Sequence, residues 1–196
     1  MSGARANIKL IVGLGNPGKK YELTRHNAGV WFLDMVAASY GVTLAPIKVC
    51  KAKVAECEIN GVPVVLLTPE VYMNNNGVEI AAYMRYFKIS TAEILIAHDE
   101  LDFSPGVIRI KDGGGCAGHN GLKSIKSHVG GNDFLRLRIG IGHPGSADLV
   151  SDYVLSKPSK NDFNLIDSSL GDAMVNIDDI VAGDLQRAVR NLHVPL

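Results

Sequence analysis

Residues 8–27, IKLIVGLGNPGKKYELTRHN, decide the fold. Ile8–Val12 is a short apolar run with β-branched residues, the pattern of a buried strand. The Gly-Asn-Pro-Gly stretch at 15–18 ends it in a turn. From Asn27 the period changes: Val30, Leu33 and Val36–Ala37 recur at helical spacing as far as Tyr40, and Gly41 stops the helix. A buried strand, a turn and an amphipathic helix in that order open an α/β sheet.

The alternation continues outward. Lys53–Ile59 and Val62–Leu67 flank Asn60-Gly61, a strong hairpin signal, so part of the sheet is expected to be antiparallel. Gly77–Phe87 reads as a helix, Ile94–Ala97 as a short buried strand and Val107–Lys111 as another strand. Gly113–Gly118 reads as a flexible loop, His119–His128 as a helix and Leu135–Ile141 as a strand. After Pro158, Leu165, Ile166, Leu170, Met174, Ile177 and Val181 keep helical spacing; Gly183-Asp184 then stops that helix and caps a last one through Leu192. With no repeat or linker, the expectation is one α/β domain over residues 1–196, a mixed, mostly parallel central sheet flanked by helices, with residues 1–6 flexible.

At 46% hydrophobic and 20% charged over 196 residues, the chain can bury a real core and is not a disordered segment. Apolar stretches such as Val62–Leu67 are too short to span a bilayer, and the first residues lack a signal-peptide layout. A cytoplasmic protein with no membrane partner is expected. Cys50, Cys57 and Cys116 are odd in number and lack CxxC spacing, which fits a reducing compartment and neither a disulfide framework nor a zinc site. Net charge is zero, yet residues 103–146 carry six basic side chains against two acidic, and residues 147–196 carry four against eight. A basic stretch inside a neutral total suits either a phosphate-binding face or an ordinary solvated surface.

Gly13–Gly18 formally matches the dinucleotide GxGxxG pattern. Pro17 and the polar Lys19-Lys20-Tyr21 delay the helix, however, and no acidic residue closes a second strand about 20 residues on, which argues against a nicotinamide site. His26 precedes the first helix, where a lone histidine is often a cap or surface residue. Asp99 follows the 94–97 strand, and if the two strands are parallel it projects from the same sheet edge. A histidine backed by a carboxylate is a general base that can activate water, and no GxSxG elbow suggests an acyl-enzyme. Asn16, Asn74 and Asn120 are loop amides; each alone reads as a turn or cap residue, but around a His–Asp pair they suit recognition of a peptide-like group. His98–Asp102 alternates faces and lacks HExxH spacing, so no metal is expected, and Cys116 reads as incidental.

These residues resemble the bacterial-type peptidyl-tRNA hydrolases. The matching stretches are KLIVGLGNPGKKYELTRHN (9–27), VYMNNNG (71–77), ILIAHDELDFSPG (94–106), GGGCAGHNGL (113–122) and LRLRIGIGHPG (135–145), with the weaker YVLSKP (153–158), in family order across nearly the whole chain. The resemblance implies cleavage of the ester joining a peptide to the 3′-terminal ribose of tRNA, with no cofactor and no metal. It makes His26 the general base, Asp99 the carboxylate that keeps it basic and oriented, and Asn16 the residue that helps separate peptidyl-tRNA from aminoacyl-tRNA. It makes Asn74 and Asn120 substrate-holding amides, with Tyr21, Tyr72 and Met73 lining the site. Lys111 and Arg138, with Arg109 nearby, fall where the family clamps tRNA phosphate. Residues 101–118 and 142–153 are implied to be mobile loops over the groove. The chain departs from the family pattern at Cys116 and Ala117 (commonly His and Gly), at Asn76 (commonly Ser) and at Asp152-Tyr153, in place of a small residue and His. The partner expected is peptidyl-tRNA, bound by a monomer; the rival from another class is a non-catalytic tRNA- or nucleotide-binding module on the same sheet.

Overall fold

The computed structural model describes residues 6–192, so all but Ala6 of the segment expected to be flexible lies outside the described residues. Four parallel strands form the centre of one seven-stranded sheet: β4 (Val62–Pro69), β1 (Leu10–Gly13), β5 (Ile94–Glu100) and β7 (Leu135–Gly140), in that spatial order. Antiparallel strands close both sides. β3 (Ala52–Ile59) and β2 (Ala45–Pro46) lie beyond β4, and β6 (Ile108–Asp112) lies beyond β7. Every residue of β1 and β5 is buried, as expected of parallel strands covered on both faces.

One face carries α1 (Ala28–Ser39), α5 (Lys160–Val175), α6 (Ile177–Val181) and α7 (Leu185–Leu192) over a core that includes Ile11, Phe32, Leu33, Leu95, Leu137, Ile166 and Ile180. The other face carries α2 (Asn76–Phe87) and α3 (Asn120–Val129) over Leu10, Val12, Leu67, Ile80, Ile96 and Ile125. The mixed α/β architecture expected from the sequence is the one observed. Its hairpin turn is also as expected, since Asn60 (φ 49°) and Gly61 (φ 77°) both take the left-handed conformation that this two-residue turn demands. At Gly77 the two helices of the second face meet backbone to backbone. A Cβ there would lie 2.2 Å from the Ser124 carbonyl, so only glycine permits the crossing.

Four details differ from the sequence expectation. β5 extends to Glu100, so Asp99 lies inside the strand rather than after it. The long helix breaks at Asn176, whose Nδ2 donates back to the Asp172 carbonyl (2.8 Å) while its Oδ1 accepts from Asn191 (2.7 Å). That side chain replaces a helical backbone bond and starts α6 in a new direction. Residues 101–118, implied by the resemblance to be a loop, contain the whole of β6, the strand read at Val107–Lys111, whereas 142–153 contain a 3-10 turn (Ala147–Leu149) and most of α4 (Val150–Val154) that the sequence reading lacks. That 3-10 turn and α4, like the two-residue β2, are too short to show a hydrophobic period.

Candidate active site

β1 and β5 run side by side in parallel with Gly13 opposite Ala97, so the chain leaving β1 and the residues ending β5 emerge at one sheet edge. The chain from β1 turns through Gly15–Gly18 and returns in a 3-10 turn, Arg25–Asn27, that seats His26 over the end of β5. His26 Nδ1 lies 2.9 Å from Asp99 Oδ1 and 3.0 Å from Oδ2. Both side chains are buried. With Nδ1–H donated to the carboxylate, Nε2 is the basic nitrogen.

Burial by itself would lower the His26 pKa, but the charge of Asp99 and its hydrogen bond outweigh burial and raise it above the ordinary 6.5. Burial pushes Asp99 up, and the adjacent His26 and His119 overcome that and hold its carboxyl well below the usual range. His98, on the neighbouring strand position, is driven down to about 3 by burial first and then by the facing His119. It stays neutral, donating Nδ1–H to the Asp99 carbonyl at 2.7 Å.

Asn16 is fixed at both levels. Its backbone N–H donates to Asn27 Oδ1 (2.9 Å) and its carbonyl accepts from Asn27 Nδ2 (3.0 Å). Its own Oδ1 accepts from the Met73 N–H (2.8 Å), which leaves Nδ2 for a ligand. Asn74 belongs to the 3-10 turn Met73–Asn75 that leads into α2, and Asn120 is the first residue of α3. His26, Asp99, Asn16, Tyr21, Tyr72, Met73, Asn74 and Asn120 all line one cavity of about 650 Å³, closed on its far side by Val150, Val154 and Leu155 of the α4 segment. Tyr21 and Tyr72, both lining it, meet edge to face with 6.1 Å between ring centroids.

The basic residues are placed less uniformly. Lys111 is exposed on β6. Arg138 Nε donates to Glu100 Oε2 (2.8 Å), with its guanidinium 4.4 Å over the Phe103 ring. Arg109 Nη1 donates to the Leu192 carbonyl (2.7 Å) and to its own strand at Ile108 (3.0 Å). None of the three lines the cavity.

Sequence reasoning passed over three residues. His119, read as the first residue of a helix, is its cap instead: its Nδ1 accepts from Leu122 N–H at 3.3 Å. Its Nε2 also lies 2.9 Å from Asp99 Oδ1. Arg25, beside His26 in the 3-10 turn, donates Nη1 to Ser156 Oγ (2.8 Å) and to the Lys157 carbonyl (2.9 Å), fastening the turn to the chain after α4. Arg136 is buried under the glycine loop, with Nη1 on the Gly115 carbonyl at 2.7 Å. An arginine at the start of a turn or within a strand carries no local signal of such a partner. His26 Nδ1, Asp99 and His119 Nε2 lie within 4.8 Å of one another, a spacing a metal site would share; two N–H donors on one carboxylate oxygen account for it without an ion.

The departures from the family pattern also have places. Cys116 and Ala117 line the cavity, and Ala117 takes φ 43°, a conformation that glycine enters at no steric cost. Asn76 is fully buried, with Nδ2 3.3 Å from Met73 Sδ. Tyr153 donates its hydroxyl to the Ile141 carbonyl (2.7 Å) and presents its ring 4.1 Å from the Arg25 guanidinium.

The family model described as peptidyl-tRNA hydrolase matches residues 10–195. The chain is 51% identical over 187 residues to a peptidyl-tRNA hydrolase of Alcanivorax borkumensis, covering 95% of this chain and 96% of that protein. It is 49% identical over 193 residues to one of Coxiella burnetii, covering 98% and 100%. A solved structure of the Acinetobacter baumannii peptidyl-tRNA hydrolase superposes with a TM-score of 0.93 at 45% identity, covering 97% of each chain.

Proposed function

The chain belongs to the peptidyl-tRNA hydrolase family, and on that premise we propose that His26 is the general base of its ester hydrolysis, with Asp99 holding the ring in its working tautomer. The reaction is cleavage of the ester between a peptide and the 3′-terminal ribose of tRNA, which recycles peptidyl-tRNA dropped from ribosomes. The observation that carries the catalytic assignment is the His26–Asp99 hydrogen bond beside a cavity edged by three side-chain amides.

His26 Nε2 takes a proton from water as the oxygen attacks the ester carbonyl. Asp99 stabilises the imidazolium that forms, and the ring then returns the proton to the departing ribose oxygen. In this reading the Asn16 Nδ2 group and the Asn120 amide, both on the cavity wall, donate to the carbonyl oxygen as it gains charge. An ester leaves more readily than an amide, so a general base worth about 10²–10⁴-fold, added to fixed donors, is sufficient. Amides that bond a peptide group and offer no carboxylate to an ammonium favour an N-blocked substrate over free aminoacyl-tRNA. Tyr21, Tyr72, Met73 and Asn74 contact the acyl and terminal nucleoside portions.

Lys111 and Arg138 contact tRNA phosphates outside the cavity, with Arg109 beside them bracing β6 through the Leu192 carbonyl, which makes affinity independent of sequence and sensitive to salt. Among the described residues no helix is long and apolar enough to cross a membrane. A monomer in the cytoplasm, where its substrate arises, fits three unpaired cysteines and a groove that must admit tRNA.

The experiment is release of an N-acetylated amino acid from N-acetyl-aminoacyl-tRNA, beside unblocked aminoacyl-tRNA, for the wild type and His26→Ala. Rapid release from the blocked substrate alone, lost in the variant while tRNA binding persists, is the expected result. Wild-type turnover by His26→Ala overturns the assignment.

A further inference from the structure

Asp99 Oδ1 serves two histidines at once. His26 Nδ1 lies 2.9 Å from it, and His119 Nε2 lies 2.9 Å from the same atom. The second nitrogen of His119 is also committed, because Nδ1 accepts the Leu122 N–H at the start of α3 (3.3 Å). An imidazole that accepts at Nδ1 and donates at Nε2 is neutral and has one possible tautomer. Protonating it costs the cap of α3.

We propose that His119 is a positioning residue that acts through Asp99: its Nε2–H shares the carboxylate oxygen that holds His26, and so sets how strongly that carboxylate charges the base. The same ring caps α3, whose first residue is Asn120, so it ties the base to a substrate-holding amide. The inference rests on the reading of His26 as the base.

The direction follows from the chemistry of the shared acceptor. A carboxylate oxygen that already accepts one hydrogen bond is a weaker partner for a second donor. Without His119, the whole charge of Asp99 falls on His26, which then holds its proton to higher pH. The other groups around the pair are few. His98 faces His119 edge-on with ring centroids 5.1 Å apart and is neutral, with Arg136 beyond it. Glu100, Asp102 and His143 line the same cavity but make no hydrogen bond with His26 or His119 among the described residues.

The test compares the wild type with His119→Ala and His119→Gln. For each, the pH profile of kcat/KM on N-acetyl-aminoacyl-tRNA is measured together with an NMR titration of the His26 ring. The expected result for His119→Ala is a rise of about one unit in both the His26 midpoint and the acid limb. At pH 6 its rate, taken as a fraction of its own alkaline plateau, is then about tenfold lower than the same fraction for the wild type. His119→Gln, which can still offer an N–H to Asp99, keeps both midpoints near wild type even if its plateau is lower. Equal loss at every pH with an unmoved His26 titration overturns the proposal, since a purely structural ring would act that way. A His26 titration that moves while the rate limb stays fixed upholds the coupling through Asp99 and removes His26 from its role as base. The NMR arm needs no turnover, so an inactive variant still reports.

Discussion

Asn27 makes both main-chain hydrogen bonds of Asn16, accepting its N–H at 2.9 Å and donating to its carbonyl at 3.0 Å across eleven residues of sequence. The side chain stands in for a strand partner at a point where the chain has left the sheet. Asn16 is thereby held to within hydrogen-bond tolerance while lying in a turn.

Asn27→Ala leaves two buried main-chain groups without partners, at about 1–3 kcal/mol each. Urea unfolding should show a loss of about 2–6 kcal/mol, and kcat/KM should fall as well, because Asn16 loses its fixed position. Unchanged stability would show that water replaces the Asn27 amide without cost.

Asp99→Asn removes the charge that raises His26 and leaves burial, which lowers it. In the wild type the acid limb of kcat/KM should lie above 6.5, because the base must lose its proton to act and its pKa is raised. In Asp99→Asn that limb should move below 6.5 while the plateau drops by about 10²-fold or more. A variant whose limb stays above 6.5 would show that something other than Asp99 charges His26.

Lys111 and Arg109 should separate cleanly. Exposed Lys111 is free to meet phosphate, so Lys111→Ala should weaken tRNA binding and reduce the slope of log affinity against log salt by about 1. Arg109 is held by the Leu192 carbonyl, so Arg109→Ala should act more on the melting temperature than on the slope. Filter binding at several salt concentrations and thermal melts give both readings; a salt slope unaltered by Lys111→Ala would exclude it from the contact.

His98 is buried neutral with a pKa near 3, against 6.5 in the unfolded chain. The unfolded state therefore takes up a proton that the folded state refuses once pH drops below 6.5, and stability that is complete above 6.5 is lost as pH falls towards 3. Between pH 6 and 4.5 this contributes a loss of about 2 kcal/mol. The raised His26 adds almost nothing over that window, because its stabilisation is already present below 6.5. Denaturant unfolding of His98→Asn should show a flatter pH dependence there; an identical slope would mean that His98 is not what loads the acid limb of stability.

The sheet and the partnership of His26 with Asp99 were legible because both depend on backbone pattern. Apolar runs mark β1 and β5, and parallel neighbours bring their ends to one edge. The extent of β5 was not legible, because His98, Asp99 and Glu100 interrupt the apolar run even though all three are buried and paired with β7 through Gly140. Polar residues in a central strand are tolerated here because each finds a partner: Asp99 takes two histidines and Glu100 takes Arg138. Such pairings join residues from 20 to 73 positions apart, and no local period encodes them. Arg25, Arg136 and His119 were missed for that reason. Arg138 and Arg109 belong to the basic stretch visible in the sequence, but their bonds to Glu100 and Leu192 are not.

The crossing at Gly77 and Ser124 makes α2 and α3 a rigid gauge. Asn74 lies three residues before one contact point and Asn120 four before the other, and between the contact points there is backbone against backbone, with the Gly77 N–H on Ser124 Oγ at 3.1 Å. No compressible side chain sits at that point, so the spacing between the chain carrying Asn74 and the start of α3 is set when the protein folds; with the two amides holding substrate as proposed, it does not widen for a bulkier acyl group. Substrates that differ far from the ester should be treated alike, and those that differ in girth beside it should not.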